Sequence, residues 1–188
     1  MAATEPIRDK GQLHDLAAYW LERGNYRNYA MIVLGVCTAL RIGDLLQLTW
    51  DHVYDAARGA FFSHIALTEK KTEKQKNVAL NGQATHALGL LYPHRRGRYI
   101  FANNRKSAMP ISRVQAWRII RAAAETVGLG RASPYSLRKS FGYHAWNTGA
   151  HPAVLMDIYN HSSYDITRRY LGISQDDRDK VYLNLALF

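Results

Sequence analysis

The sequence predicts a mainly α fold with a small antiparallel β-hairpin, an α+β domain in which helices dominate. Three observations carry this expectation. Apolar residues recur at helical spacing through most of the chain. One stretch, residues 60–80, switches to strand-like runs around a charged turn. Serine, asparagine, proline and glycine stand where helices should start and stop, and no linker rich in Pro, Gly or Ser interrupts the 188 residues.

Taken in order, MAATEPIRDK is polar and reads as extended. GQLHDLAAYWLERG places Leu13, Leu16, Ala17 and Trp20 at a helical period that ends at Gly24. NYRNYAMIVLGVCTAL is almost wholly apolar, which predicts a central core helix. RIGDLLQLTW reads as a further helix with Leu45, Leu46 and Leu48 inward, and Asp44 is expected one turn beyond Arg41 to hold its guanidinium. AFFSHIAL and KNVAL flank the turn TEKKTEKQ as the arms of the hairpin; its lysines would ordinarily be solvated edge charges. GQATHALGLLYP predicts a helix, HRRGR a basic loop able to meet phosphate, and YIFA a short extended piece. In ISRVQAWRIIRAAAETVG the stripe Val114, Trp117, Ile120, Ala124 and Val127 should face the core. Arg113, Arg118 and Arg121 then lie off that stripe, free to dock on a polyanion or to solvate the outer face.

Bulk properties narrow the class. Twenty-five Lys and Arg against fifteen Asp and Glu leave a net charge of +10, which points to a polyanionic partner, with nucleic acid the commonest. The lone cysteine, Cys37, excludes an intrachain disulfide and a CxxC zinc site, and its apolar surroundings predict a buried small hydrophobe. There is no HExxH, Gly-rich phosphate loop or carboxylate cluster, so no metal and no cofactor are expected. No apolar run of membrane-spanning length and no signal peptide occur, which predicts a cytoplasmic protein.

The last third concentrates the chemistry. Ser133-Pro134 reads as a cap and first helical residue, with Tyr135 and Arg138 on one face and Gly142 leaving room there for a close neighbour. Gly149 ends that helix and Pro152 opens a short apolar one through Leu155, Ile158 and Tyr159. Ser162 with Asp165 gives a capping-box pattern for a final helix bearing Thr167, Arg168, Arg169 and Tyr170, stopping near Gly172. The tail SQDDRDKVYLNLALF carries Val181, Leu183, Leu185 and Phe188, able to pack on the body or to couple subunits.

These boxes resemble the C-terminal motifs of the tyrosine recombinases, the phage-integrase family, whose pattern is roughly H-x-L-R-[HK]-[TS]-F followed by L-G-H-S-S-x-x-x-T-x-x-Y. Here YSLRKSF stands at 135–141 and NHSSYDITRRY at 160–170, while TALRIGDLLQL at 38–48 is similar to the first-arginine box. The resemblance implies a tyrosine recombinase catalytic domain filling residues 1–188, without a separate N-terminal core-binding or arm-binding domain. It implies a phosphate clamp of Arg41 and Arg138 with His161, a nucleophile at Tyr170, and a general acid at Lys71, with Lys70 and Lys74 left open. The implied partner is double-stranded DNA, held in a tetrameric synapse, and the implied activity is site-specific strand breakage and rejoining through a 3′-phosphotyrosine.

Two departures stand out. Tyr135 occupies the position where the family usually has histidine, and a phenol is a poor base at neutral pH. Asn160 replaces the glycine before the histidine, though asparagine also suits a turn. Tyr164 is the rival nucleophile, but nine residues from His161 and twenty-three from Arg138 to His161 match the family spacing at Tyr170. A DNA-binding module that keeps the fold without catalysis is the alternative reading, and a type IB topoisomerase-like enzyme is a third.

Overall fold

The computed structural model describes residues 4–70, 72–173 and 175–185. Helices dominate, and the strands form two separate two-stranded antiparallel sheets. Helix α1 (Lys10–Leu21) starts where the Asp9 carboxylate accepts from the Gln12 amide, and α2 (Tyr26–Cys37) starts at a matching Asn25 cap. As its composition predicts, α2 lies at the centre of the molecule, burying Ala30, Met31, Ile32 and Leu34 among α1 and two later helices. Cys37 is only partly buried and free, because it sits in the last turn of α2, where the helix leaves the core.

The expected helix after Arg41 shrinks to one turn, α3 (Ile42–Leu45), with Arg41 as its N-cap. Leu45, Leu46 and Leu48 do point inward, but Thr49 caps a 3-10 turn at Trp50–His52 and redirects the chain. The β-rich stretch divides. Strand β1 (Tyr54–Asp55) pairs with β2 (Ala60–Phe61), and β3 (His64–Thr68) pairs with β4 (Gln75–Ala79) in the register Ile65 to Val78 and Thr68 to Gln75. Helix α4 (Gly82–Leu91) then packs on α2, and Tyr99 and Ala102 of the extended YIFA piece form isolated bridges to Thr49 and Pro110.

Helix α5 (Arg113–Thr126) corrects the expected stripe. Its buried residues are Ala116, Ile120, Ala123 and Ala124, while Val114 and Trp117 are exposed. Ile120 and Ala124 are buried as expected and Val127 packs partly on the core, but the rest of the buried face is the small Ala116 and Ala123, which leaves Val114 and Trp117 outside. Helix α6 (Pro134–Asn147) begins as expected at Ser133 and Pro134, with a capping box to Ser136. Gly149 follows its end at positive φ. Helices α7 (Pro152–Tyr159) and α8 (Tyr164–Leu171) form a pair whose second cap is Ser163, one residue later than the capping-box pattern suggested. The Ser163 hydroxyl accepts from the Ile166 amide, so Asp165 sits inside the first turn and is not its third residue.

A small second cluster of Ala39, Leu155, Tyr159 and Leu171, backed by Phe141 and Trp146, ties α6, α7 and α8 together apart from the main core. Helix α9 (Gln175–Leu183) leaves Val181, Leu183 and Leu185 exposed, so these tail residues do not pack on the body, and Phe188 lies outside the described residues. Among the described residues no helix is long and apolar enough to cross a membrane.

Candidate active site

Arg138 projects from the buried face of α6 and is only 3% exposed. Its guanidinium donates to the carbonyls of Ala39 and Tyr159 and, through Nε, to the Tyr170 hydroxyl at 3.1 Å. Three of an arginine's five N–H donors are thereby used, leaving two for a ligand oxygen. Arg41 reaches the same place from the start of α3, donating to the Tyr159 carbonyl at 3.4 Å. One backbone oxygen thus holds both arginines side by side.

Two residues beside this shared carbonyl have backbones that side chains rarely adopt. Ala39, whose carbonyl Arg138 engages, has φ 52°, and Asn160, which ends α7, has φ 55°. Asparagine tolerates that left-handed turn better than most residues. Strain at both ends of one arginine clamp is what a preformed site stores, and the surrounding helices hold it in place.

The expected partner of Arg41 is corrected. Its carboxylate is that of Glu69, 2.6 Å from Nη1, and not that of Asp44, which accepts from the Lys70 amide at 3.2 Å. Asp44 points toward the hairpin because α3 is a single turn. Glu69 is nearly inaccessible and also meets Lys76 at 3.4 Å and the Thr72 hydroxyl at 2.9 Å. Burial pushes its carboxyl up, but Arg41, Lys76 and Thr72 outweigh it and hold the group below the usual carboxylate range. Burial likewise pulls the Lys76 ammonium down against Glu69, and that ammonium donates to the Ile158 carbonyl at 2.5 Å. Lys74 donates to Asn160 Oδ1 at 2.9 Å. The hairpin is therefore pinned by two lysines to the end of α7, just before His161.

His161 sits at the turn between α7 and α8, with Nδ1 3.0 Å from the Thr167 hydroxyl. Burial first, then the Arg138 and Arg41 charges, hold its imidazole below its ordinary value, which favours the neutral ring. Tyr170 comes from the far end of α8. Burial pushes its phenol up to about 12, with Arg138 acting in the opposite sense. Tyr164 is exposed at the other end of the same helix. Tyr135 is exposed too, its ring edge-on to Tyr170 at 5.6 Å.

The structure thus brings Arg41, Tyr135, Arg138, His161 and Tyr170 together; Lys71 lies outside the described residues. A cleft of about 440 Å³ opens beside them, walled by Arg41, Asp44, Lys70, Arg113, Tyr135 and Arg138. Arg113 reaches this wall because Gly43 has no side chain, since a Cβ there would lie 2.6 Å from its Nη2.

Sequence reasoning missed the residue at the centre. The buried Tyr159 ring stacks on His161 at 5.2 Å, tilts against Tyr170 at 4.7 Å and lies 4.9 Å from the Arg138 guanidinium. Its hydroxyl donates to the Arg138 carbonyl at 2.8 Å, in the space left by Gly142. The sequence offered only an apolar helix ending there. Lys139 is also buried beside Arg138, with its ammonium 5.3 Å from the Tyr170 ring, and nothing local in the sequence marks it.

The model of the phage integrase family matches residues 9–176. The chain is 34% identical over 183 residues to a probable integrase/recombinase of Bacillus subtilis, YoeC, covering 97% of each. It also matches the tyrosine recombinase XerD of Neisseria meningitidis at 30% identity, over 79% of this chain but 51% of that protein, so it spans about half the length of that relative. Among solved structures, the XerA recombinase superposes with a TM-score of 0.78 at 20% identity, covering 96% of this chain and 65% of the other. The XerH recombinase, bound to its difH substrate in a post-cleavage complex, gives a TM-score of 0.78 at 16% identity, over 98% of this chain and 54% of the other. At such identities these two likenesses concern the fold.

Proposed function

The chain belongs to the phage integrase family, and on that premise we propose that it is a site-specific DNA recombinase that cuts and rejoins strands through a 3′-phosphotyrosine. The observation that carries this reading is the Tyr170 hydroxyl, 3.1 Å from Nε of a buried arginine that shares a carbonyl with Arg41. A phosphodiester resists attack because its own charge repels the nucleophile and grows in the transition state. The free N–H groups of Arg138 and Arg41 would take its non-bridging oxygens, with His161 adding a donor. The Tyr170 oxygen, already beside Arg138, would form a bond to phosphorus as its own proton passes to solvent and the bond to the 5′ oxygen breaks. That 5′ oxygen must gain a proton. The family resemblance assigns its donation to Lys71. Reversal with another 5′-hydroxyl joins new strands, since the bond energy is kept in the phosphotyrosine.

Burial gives the phenol a high affinity for its proton, so Tyr170 rests neutral at ordinary pH and must lose that proton as it attacks. The same reading makes double-stranded DNA the partner, in keeping with the DNA-bound XerH relative in fold. A tetrameric synapse coupled through the tail is the assembly we infer from it; exposed Val181, Leu183 and Leu185 support that role.

The test is a pool of nicked duplexes of randomised sequence, in which the short strand beyond the cut diffuses away and religation fails. Adducts that survive denaturing electrophoresis should accumulate with the parent and with Tyr164→Phe, and vanish with Tyr170→Phe while DNA is still bound. Phosphate mapped to Tyr164 would move the nucleophile. Binding without any adduct across the pool would favour the non-catalytic DNA-binding module, the reading that Tyr135 in place of histidine supports.

A further inference from the structure

At the end of α2 opposite Arg41 lies a second cavity, of about 280 Å³, whose walls include Arg23, Arg27, His94, Arg95 and Arg96 but no carboxylate. Among the described residues, none of these arginines forms an ion pair. In a chain of net charge +10 some basic surface is expected, and loose, solvated arginines would need no explanation. These are not loose. Arg27 is fixed entirely by neutral acceptors: Asn28 Oδ1 at 3.0 Å, the Ala102 carbonyl at 2.9 Å and Asn104 Oδ1 at 2.8 Å. Arg23 lies 3.8 Å over the Tyr19 ring and donates to its carbonyl, and Arg95 does the same to Tyr92, 4.1 Å over the ring. His94 stacks on Tyr26 at 4.7 Å.

Three guanidiniums are therefore held in place around an opening without a counter-charge, and Arg96 stands exposed beside them with no hydrogen bond or ion pair among the described residues. Burial, and then the like charge of Arg96, hold the Arg27 guanidinium below its ordinary value. The first turn of α2 adds to the same field. Its residues Tyr26 and Arg27 line the cavity, it carries no acidic residue, and a helix start is electropositive. Preorganised donors of this kind suit the paired non-bridging oxygens of a phosphate.

We propose that this cavity is a second phosphate site, which takes a backbone phosphate of the bound duplex at a distance from the one held by Arg41 and Arg138. The proposal rests on the DNA reading above. Twelve residues of α2 span about 18 Å, so the two sites cannot share one phosphate. The site would set the angle at which the duplex lies across the molecule without reading its sequence.

Because a backbone contact is indifferent to sequence, the experiment needs no cognate site. Affinity for a mixed-sequence duplex is followed by fluorescence anisotropy from about 50 to 200 mM salt. It compares the parent, Arg96→Gln, the double variant Arg95→Gln with Arg96→Gln, and Arg178→Gln, which removes one charge from α9 as Arg96→Gln does from the cavity. Circular dichroism melts check that each is folded. The slope of log K against log salt should become shallower by about 0.9 for each phosphate that the cavity variants no longer neutralise, and stay at the parent value in Arg178→Gln. A parent slope retained by the double variant overturns the site. So does an equal change in Arg178→Gln, which would make the effect one of net charge. A parent that binds no duplex at all is a different result, and removes the DNA reading itself.

Discussion

At the scale of single residues, the arrangement turns on how few atoms do several tasks. The Tyr159 carbonyl accepts from Arg41 and Arg138, and its ring packs on His161 and Tyr170. His161 reports on this crowding. Buried beside two guanidiniums, its imidazole should titrate below the usual value near 6.5 in the free protein. A phosphate in the clamp would add negative charge beside the ring and favour the imidazolium, so its titration should move up when DNA is bound. Histidine proton shifts in an NMR titration, assigned with His161→Gln, measure both. A titration midpoint that does not move on binding DNA would mean that the phosphate lies elsewhere. In the free protein the sign for stability follows directly. The unfolded chain takes up the proton first, so stability present above about 6.5 is lost as pH falls toward the depressed folded value.

At the scale of elements, the site depends on three helices and a hairpin meeting at close range. Helices α6 and α7 approach through Gly142, where a Cβ would overlap the Tyr159 hydroxyl and a Leu171 methyl group. Neither neighbour is a loose surface group, since Tyr159 and Leu171 are fully buried. Gly142→Ala should therefore lower unfolding stability by about 1–3 kcal/mol despite alanine's better helix propensity, measured by urea titration. An unchanged midpoint would show that α7 can move away at little cost, and that Tyr159 does not fix the clamp. The hairpin is joined to the same place by Lys76 on the Ile158 carbonyl and Lys74 on Asn160. Strand β4 and the residue before it are thus tied to the segment that leads into His161.

At the scale of the whole molecule, charge and the exposed tail dominate. Arginines gather both at the clamp and at the far end of α2, so the polyanion reading is distributed over the surface. The tail behaves differently. Val181, Leu183 and Leu185 are 66%, 84% and 63% exposed, so little stability is invested in them within one chain. Replacing Leu183 and Leu185 by serine should leave the unfolding free energy within about 0.5 kcal/mol of the parent. If the tail couples protomers, the same variant should lose higher-order complexes on DNA in sedimentation velocity while single-chain binding persists. A large loss of stability would instead show that these leucines pack on their own chain.

Helix identities, most caps and the order of the motif boxes were determined by the sequence alone. Those signals act over a few residues: Ser133 caps α6 through the Ser136 amide, and Gly172 ends α8 with a positive φ that its missing side chain permits. Spacing from Arg138 to Tyr170 was legible too, since it is a count along the chain through three successive short helices, α6 to α8. Where a reading needed the distance between packed elements, it failed. The buried face of α5 keeps Ile120 but otherwise uses Ala116, Ala123 and Ala124, so that Val114 and Trp117 face outward. The partner of Arg41 was decided by the hairpin that brings Glu69 across from twenty-eight positions away, which shortening α3 to one turn allowed. Tyr159 carries no local mark at all. Its role comes from a carbonyl and a ring that meet four side chains from three other segments, and only tertiary packing can bring those together.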